Sequence, residues 1–181
     1  MARTQELAER FSISHYSSCM NRFTCLILSL LALTIPCAAQ QSKAAVVQKV
    51  VFVCEHGAAK SVMAAAEFGK LAKQKGVAFE IISRGTVPDA EVAVRIRQHL
   101  LADGMDIGSA KPAKVSAKDL EGATTVVTFG PDLSALLPKG AKLLDWSATP
   151  SPSQDYGAAR EYIVKQLETL VESMQKAEHP K

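Results

Sequence analysis

The chain has 181 residues, 48% of them hydrophobic, and a formal net charge of +3 at pH 7. That length allows about one domain and a leader, and the apolar content is ordinary for a protein with a real core. So mild a charge, with no basic run, argues against a nucleic-acid partner.

Residues 23–35 are almost entirely apolar, with Arg22 before them and Cys37, Ala38 and Ala39 after. A basic start, an apolar segment of about 7–15 residues and a small-residue cleavage site make a signal peptide. The segment is short for a membrane span, which takes about 20 residues. The expectation is an exported protein, periplasmic or secreted, cleaved near Ala39 and without a stable membrane span afterwards. An uncleaved anchor is the second reading. Met20 is an alternative start, and Pro36 before Cys37 fits a lipoprotein signal poorly. Residues 1–39 are thus assigned to the signal peptide, 40–46 to a flexible lead-in and 47–177 to the folded domain. Cys19, Cys25 and Cys37 all precede that domain, which keeps Cys54 alone and so no internal disulfide.

The first strand is expected over residues 46–53, apolar enough to be buried on both faces of a parallel sheet. Cys54 stands where it stops. A short loop and Lys60-Ser61 lead into an Ala-rich helix over 61–75, ended by Gly76. A strand feeding a loop feeding a helix gathers backbone N–H groups and the positive helix end around one point. Thiolate is favoured in such surroundings, so this stretch is a candidate anion-binding loop carrying a nucleophile.

A second strand follows over 77–82 and then the turn cluster Ser83-Arg84-Gly85-Thr86. Asp89 is expected to cap a second helix running through Ala102, and Asp103-Gly104 to end it. Ser116 carries a capping signal for a short helical turn over 116–120. Strands are expected over 124–129 and 141–145, separated by a connection over 131–140, and a Ser/Pro-rich loop over 146–154 follows. The last helix, over 155–175, bears the best apolar stripe, including Ala159, Ile163, Leu167 and Val171. Alternating strands and helices predict an α/β three-layer sandwich: a four-stranded parallel sheet flanked by helices. Sites in such sheets lie at the carboxyl ends of strands, near a switch in strand order. Cys54 is at such an end.

Cys54, five residues, Lys60 and Ser61 resemble the phosphate loop of the low-molecular-weight protein tyrosine phosphatases and the related thioredoxin-dependent arsenate reductases. That loop reads Cys-x5-Arg-Ser. The turn at residues 83–86 resembles the family's Ser-Ala-Gly-Thr, and residues 100–107 resemble its Leu-x-x-x-Gly-Ile-Asp segment. Residues 125–129 resemble its third strand. The resemblance spans nearly all of residues 48–175.

It implies that Cys54 attacks phosphorus and forms a phosphocysteine, which water then hydrolyses. Backbone N–H groups of Glu55, His56, Gly57, Ala58, Ala59 and Lys60 would hold the phosphate oxygens, and Ser61 would donate to the thiolate. No metal or other cofactor is implied. The expected partner is a phosphorylated or oxyanion substrate, with an external thiol reductant if the chemistry is arsenate reduction.

Three positions depart from the pattern. Lys60 replaces an arginine, a point charge in place of a planar two-pronged grip. His56-Gly57 replaces Gly-Asn. The acidic Asp-Pro before the last helix reads Thr149-Pro150, which leaves the proton-donor role vacant or filled by Asp145 or Asp155. His56 is open between proton donor and loop-stabilising partner, while His99 and Trp146 are read as structural. Three functions are therefore carried forward: a phosphomonoesterase, an arsenate reductase drawing on an external thiol, and an oxyanion-binding module without turnover.

Overall fold

The computed structural model describes residues 47–178. The expected signal segment and the lead-in up to residue 46 lie outside them. The elements run β1 (Gln48–Cys54), α1 (Lys60–Gln74), β2 (Phe79–Gly85), α2 (Val94–Ala102), α3 (Ala117–Leu120), β3 (Thr125–Thr128), β4 (Lys142–Asp145) and α4 (Tyr156–Glu178). No described helix is long and apolar enough to cross a membrane.

The four strands form one parallel sheet in the order β2-β1-β3-β4. The chain leaves β1 for one side and later returns to the other, so the switch in strand order falls beside β1. Cys54 pairs in register with Gly85, and Val53 with Thr128. The nucleophile candidate thus sits at the carboxyl end of the central strand, where such sheets hold their ligands.

Side chains alternate across β1. Val50, Phe52 and Cys54 face a core shared with Met63 and Phe68 of α1, Ile96 and Leu100 of α2, and Ile163 and Leu167 of α4. Val51 and Val53 face a smaller core with Val115, Leu120, Val126 and Leu133. The second layer is therefore built from the single turn of α3 and loop segments, while the three longer helices share the first. Trp146 is buried and packs on Phe52 and Phe129, ring centroids 6.1 and 5.9 Å away.

Gly76 and Gly104 stop α1 and α2 as their positions suggested. Both have positive φ, and in each case the following N–H reaches back to close a Schellman turn: Val77 to Ala72, and Met105 to Leu100. The start of α2 differs from expectation. Asp89 does not cap it; the helix begins at Val94 behind Ala93, with no side-chain cap. The N–H of Asp89 donates instead to the His56 carbonyl. A long-range contact has displaced the local cap.

The helices on the larger core are joined by a polar network. Arg160 on α4 pairs with Glu67 on α1 and Asp103 after α2, and Tyr156 donates to Asp103 at 2.8 Å. His99 stacks on Tyr156 with centroids 4.2 Å apart. Burial and the Asp103 hydrogen bond push the Tyr156 phenol far above its ordinary range. Burial opposes the charge on Arg160, but hydrogen bonding and attraction to Glu67, with Asp103, outweigh it. All three helices are locked at one point.

Ser116 caps α3 as expected, in a capping box with Asp119, whose carboxylate also meets Arg84 at 2.7 Å. Burial works against the Asp119 carboxylate, but hydrogen bonds from Ser116 and Arg84 and the arginine charge hold it below its usual range. A lowered carboxyl stabilises the fold above its unfolded pKa of about 3.9, and that stability is lost as pH falls through the folded value. Asp119→Asn should therefore lower stability at pH 7 by about 1 kcal/mol. Urea melts at several pH values should show the gap from wild type closing below about pH 4; a gap independent of pH would contradict this account.

Candidate functional site

Cys54 ends β1 at the floor of a cavity of about 490 Å³. Glu55, His56, Ala59 and Lys60 line it, as do residues 93–96 at the start of α2. Phe129 and residues 151–153 complete the lining. Cys54 is buried and contributes to the cavity lining.

The loop after Cys54 is held by its carbonyls. The carbonyls of Cys54, Glu55, His56 and Ala58 accept from the N–H groups of Thr86, Val87, Asp89 and Ala93, respectively. A trans peptide is planar, with N–H pointing opposite to C=O. Fastening the carbonyls to one neighbouring segment therefore turns the N–H groups of Glu55, His56, Gly57 and Ala59 to the other side. The Gly57 N–H reaches the Cys54 sulfur at 3.2 Å, which identifies that side. Among the described residues, the amides of Glu55, His56, Ala58 and Ala59 meet no protein acceptor. The first turn of α1 adds to them. It has no side-chain cap and no acidic residue, so its orphan N–H groups also remain for an anion.

Two glycines let the loop come this close. Gly57 has φ of +62°, and a Cβ there would meet the Gly85 nitrogen at 2.9 Å. A Cβ on Gly85 would meet the Gly57 nitrogen at 2.7 Å. Each excludes a side chain on the other, so the loop at 54–61 forms one unit with the end of β2, which runs through Ser83, Arg84 and Gly85 where the sequence suggested a turn.

Ser61 lies 3.1 Å from the Cys54 sulfur, and Ser83 donates to Ser61 at 3.1 Å. With Ser83 filling its acceptor site, the Ser61 hydroxyl is free to donate to sulfur. Sulfur thus has two donors, Ser61 and the Gly57 amide, an arrangement suited to a thiolate.

Lys60 lines the cavity, but its Nζ donates to the Thr149 carbonyl at 2.6 Å. The ammonium carries three donors, so this contact leaves two for an oxyanion. Thr149, where the family places an acid, is buried, and its hydroxyl donates to the Trp146 carbonyl. Asp145 accepts the Ser147 N–H at 2.8 Å, and Asp155 accepts the Ala158 N–H as the cap of α4. Neither Asp145 nor Asp155 lines the cavity. Both carboxylates are engaged in local turns, which is where short acidic side chains are most readily satisfied.

The cavity instead holds His56, whose Nδ1 lies 3.3 Å from Asp89 Oδ1 and whose Nε2 lies 3.8 Å from Glu55. Ser83, Asp89 and Arg95 are the functional neighbours that sequence reasoning left without a site role. The turn resemblance at residues 83–86 already pointed to Ser83. Nothing local marks Asp89, which reads as a cap. Among the described residues, no cluster of His, Cys, Asp or Glu is arranged to hold a metal.

The family model for low molecular weight phosphotyrosine protein phosphatase matches residues 49–142. No curated protein matches the chain. Among solved structures, the thioredoxin-dependent arsenate reductase of Corynebacterium glutamicum is similar at TM-score 0.62 and 25% identity; the match covers 74% of this chain and 65% of the reductase. A low molecular weight protein tyrosine phosphatase from T. tengcongensis is similar at TM-score 0.62 and 20% identity, covering 70% of this chain and 99% of that one. The arginine phosphatase YwlE from Geobacillus stearothermophilus is similar at TM-score 0.60 and 22% identity, covering 74% and 98%. The last two likenesses speak to the fold alone.

Gly85→Ala should push the loop off its N–H arrangement. Calorimetry with inorganic phosphate should show binding weakened about tenfold or more, equivalent to about 1.4 kcal/mol, with far-ultraviolet circular dichroism unchanged. Undiminished phosphate binding would show that the amides of 55–59 do not form the anion site.

Proposed function

The chain belongs to the low molecular weight phosphotyrosine protein phosphatase family, and from that premise we propose that it hydrolyses phosphate monoesters through a covalent intermediate on Cys54. The observation that carries the reading is the sulfur itself. It sits at the cavity floor with the Gly57 amide and Ser61 hydroxyl facing it, beneath a loop whose free amides are turned to the same side.

A phosphate dianion seated on those amides presents phosphorus to the sulfur. The S–P bond forms as the ester P–O bond breaks, and the leaving oxygen takes a proton. Water then attacks phosphorus, the S–P bond breaks, and thiolate and inorganic phosphate are released. Ser61 and Gly57 hold the thiolate when it attacks and when it leaves. Amides placed before reaction stabilise the equatorial oxygens without reorganising. The two remaining donors of Lys60 supply the positive charge that the family draws from arginine. The reading includes export, from the basic, apolar and small-residue pattern ending near Ala39.

The similarity to an arsenate reductase favours a second reading. Arsenate is also a tetrahedral oxyanion, and the same cradle would present it to Cys54. Cys54 is free and is the one cysteine among the described residues. Resolution of an arsenic–sulfur adduct would then require an external thiol such as glutathione or a thioredoxin. A third reading, binding without turnover, draws on the Lys60 contact with Thr149.

Hydrolysis of para-nitrophenyl phosphate by the wild type, lost by about 10⁴-fold or more in Cys54→Ser, is the expected result. The variant should still bind phosphate. Arsenate-dependent thiol consumption by a wild type inert toward aryl phosphates would turn the assignment to reduction. Phosphate binding with neither activity would turn it to the binding module.

A further inference from the structure

We propose that His56, oriented by Asp89, is the proton donor to the leaving oxygen; this rests on the phosphatase reading above. The position that carries an acid in the family is the buried, hydrogen-bonded Thr149, and Asp145 and Asp155 are spent as turn and helix caps outside the cavity. The proton must come from a group on the cavity wall. His56 and Glu55 are the proton-donating candidates there, beside the cations Lys60 and Arg95.

Of the two, His56 is the one held in place. Its carbonyl accepts the Asp89 N–H at 3.0 Å, and its Nδ1 lies 3.3 Å from the Asp89 carboxylate. Backbone and side chain are thus tied to the same residue. Both side chains are exposed, but Glu55 has no comparable anchor: its one ion-pair partner is His56 at 3.8 Å. A carboxylate on one imidazole nitrogen sets the ring's orientation and tautomer, leaving the other nitrogen to exchange protons. Imidazole is also the side chain suited to giving and regaining a proton near neutral pH.

In the first step Nε2–H gives its proton to the ester oxygen as the P–O bond breaks. In the second, the neutral ring takes a proton from the water that attacks the phosphocysteine. The imidazole ends as it began, and the sum of the steps is ester plus water giving alcohol plus phosphate. Asp89 touches neither oxygen; it is a positioning residue.

The test compares two esters on the full chain: phenyl phosphate, whose leaving group needs a proton, and 2,4-dinitrophenyl phosphate, whose leaving group does not. In His56→Gln, kcat/KM for phenyl phosphate should fall about 10²-fold further than kcat/KM for the dinitrophenyl ester. Asp89→Asn should show the same selectivity in smaller measure, with Glu55→Gln affecting both esters alike. Residual activity on the dinitrophenyl ester certifies that each variant is folded. Parallel losses on both esters in His56→Gln, or selectivity appearing in Glu55→Gln instead, would overturn the assignment while leaving the phosphatase reading intact. A wild type inert toward both esters overturns the phosphatase reading and the assignment together.

Discussion

Four backbone hydrogen bonds, from residues 86–93 to the carbonyls of residues 54–58, are the constraint on which the site depends. They use ordinary donors and acceptors, yet through the planarity of the peptide they decide which way every amide in the loop faces. An anion site made of side chains could survive small shifts in backbone. One made of amides cannot, because the donors are the backbone. The mutual exclusion of side chains at Gly57 and Gly85 tightens this constraint, since a Cβ at either would come within 3.0 Å of the other's backbone nitrogen.

The rest of the fold serves to keep those two segments in contact. Cys54 and Gly85 end neighbouring parallel strands in register, so both segments leave the sheet at one level. Phe52, one pleat before the loop, is fully buried between Phe68 and Trp146, which anchors β1 just beneath Cys54. The Glu67, Arg160, Asp103 and Tyr156 network holds α1, α2 and α4 together from the same core. The network is partly exposed at Arg160 and Asp103 and buried at Glu67. Loop geometry is thereby coupled to helix packing.

The substitutions at the cavity wall also change its electrostatics. Arginine would offer a planar fork to two phosphate oxygens; Lys60 offers a point charge, already tied to the Thr149 carbonyl. That contact links the start of α1 to the loop before α4, so the segment that carries an acid elsewhere in the family here serves as a strut. Thr149 is buried, while the cavity lining holds His56, whose imidazole lies beside the Asp89 carboxylate.

The sequence by itself determined the elements and their class. Apolar runs marked the buried strands, Gly76 and Gly104 marked the helix stops, and Ser116 marked its cap, because each depends on neighbours within a few residues. The candidate nucleophile was legible for the same reason, since strand, loop and helix follow directly on one another around Cys54. What lies across the cavity was not legible. Asp89 reads locally as a helix cap, and only the tertiary contact with His56 claims its N–H and places its carboxylate at the imidazole. Asp145 and Asp155 were candidate acids from sequence; in the fold each gives one carboxylate oxygen to a local N–H, and neither lines the cavity. Local chemistry decided what each residue could do; packing between segments some thirty to ninety positions apart decided which of them line the cavity.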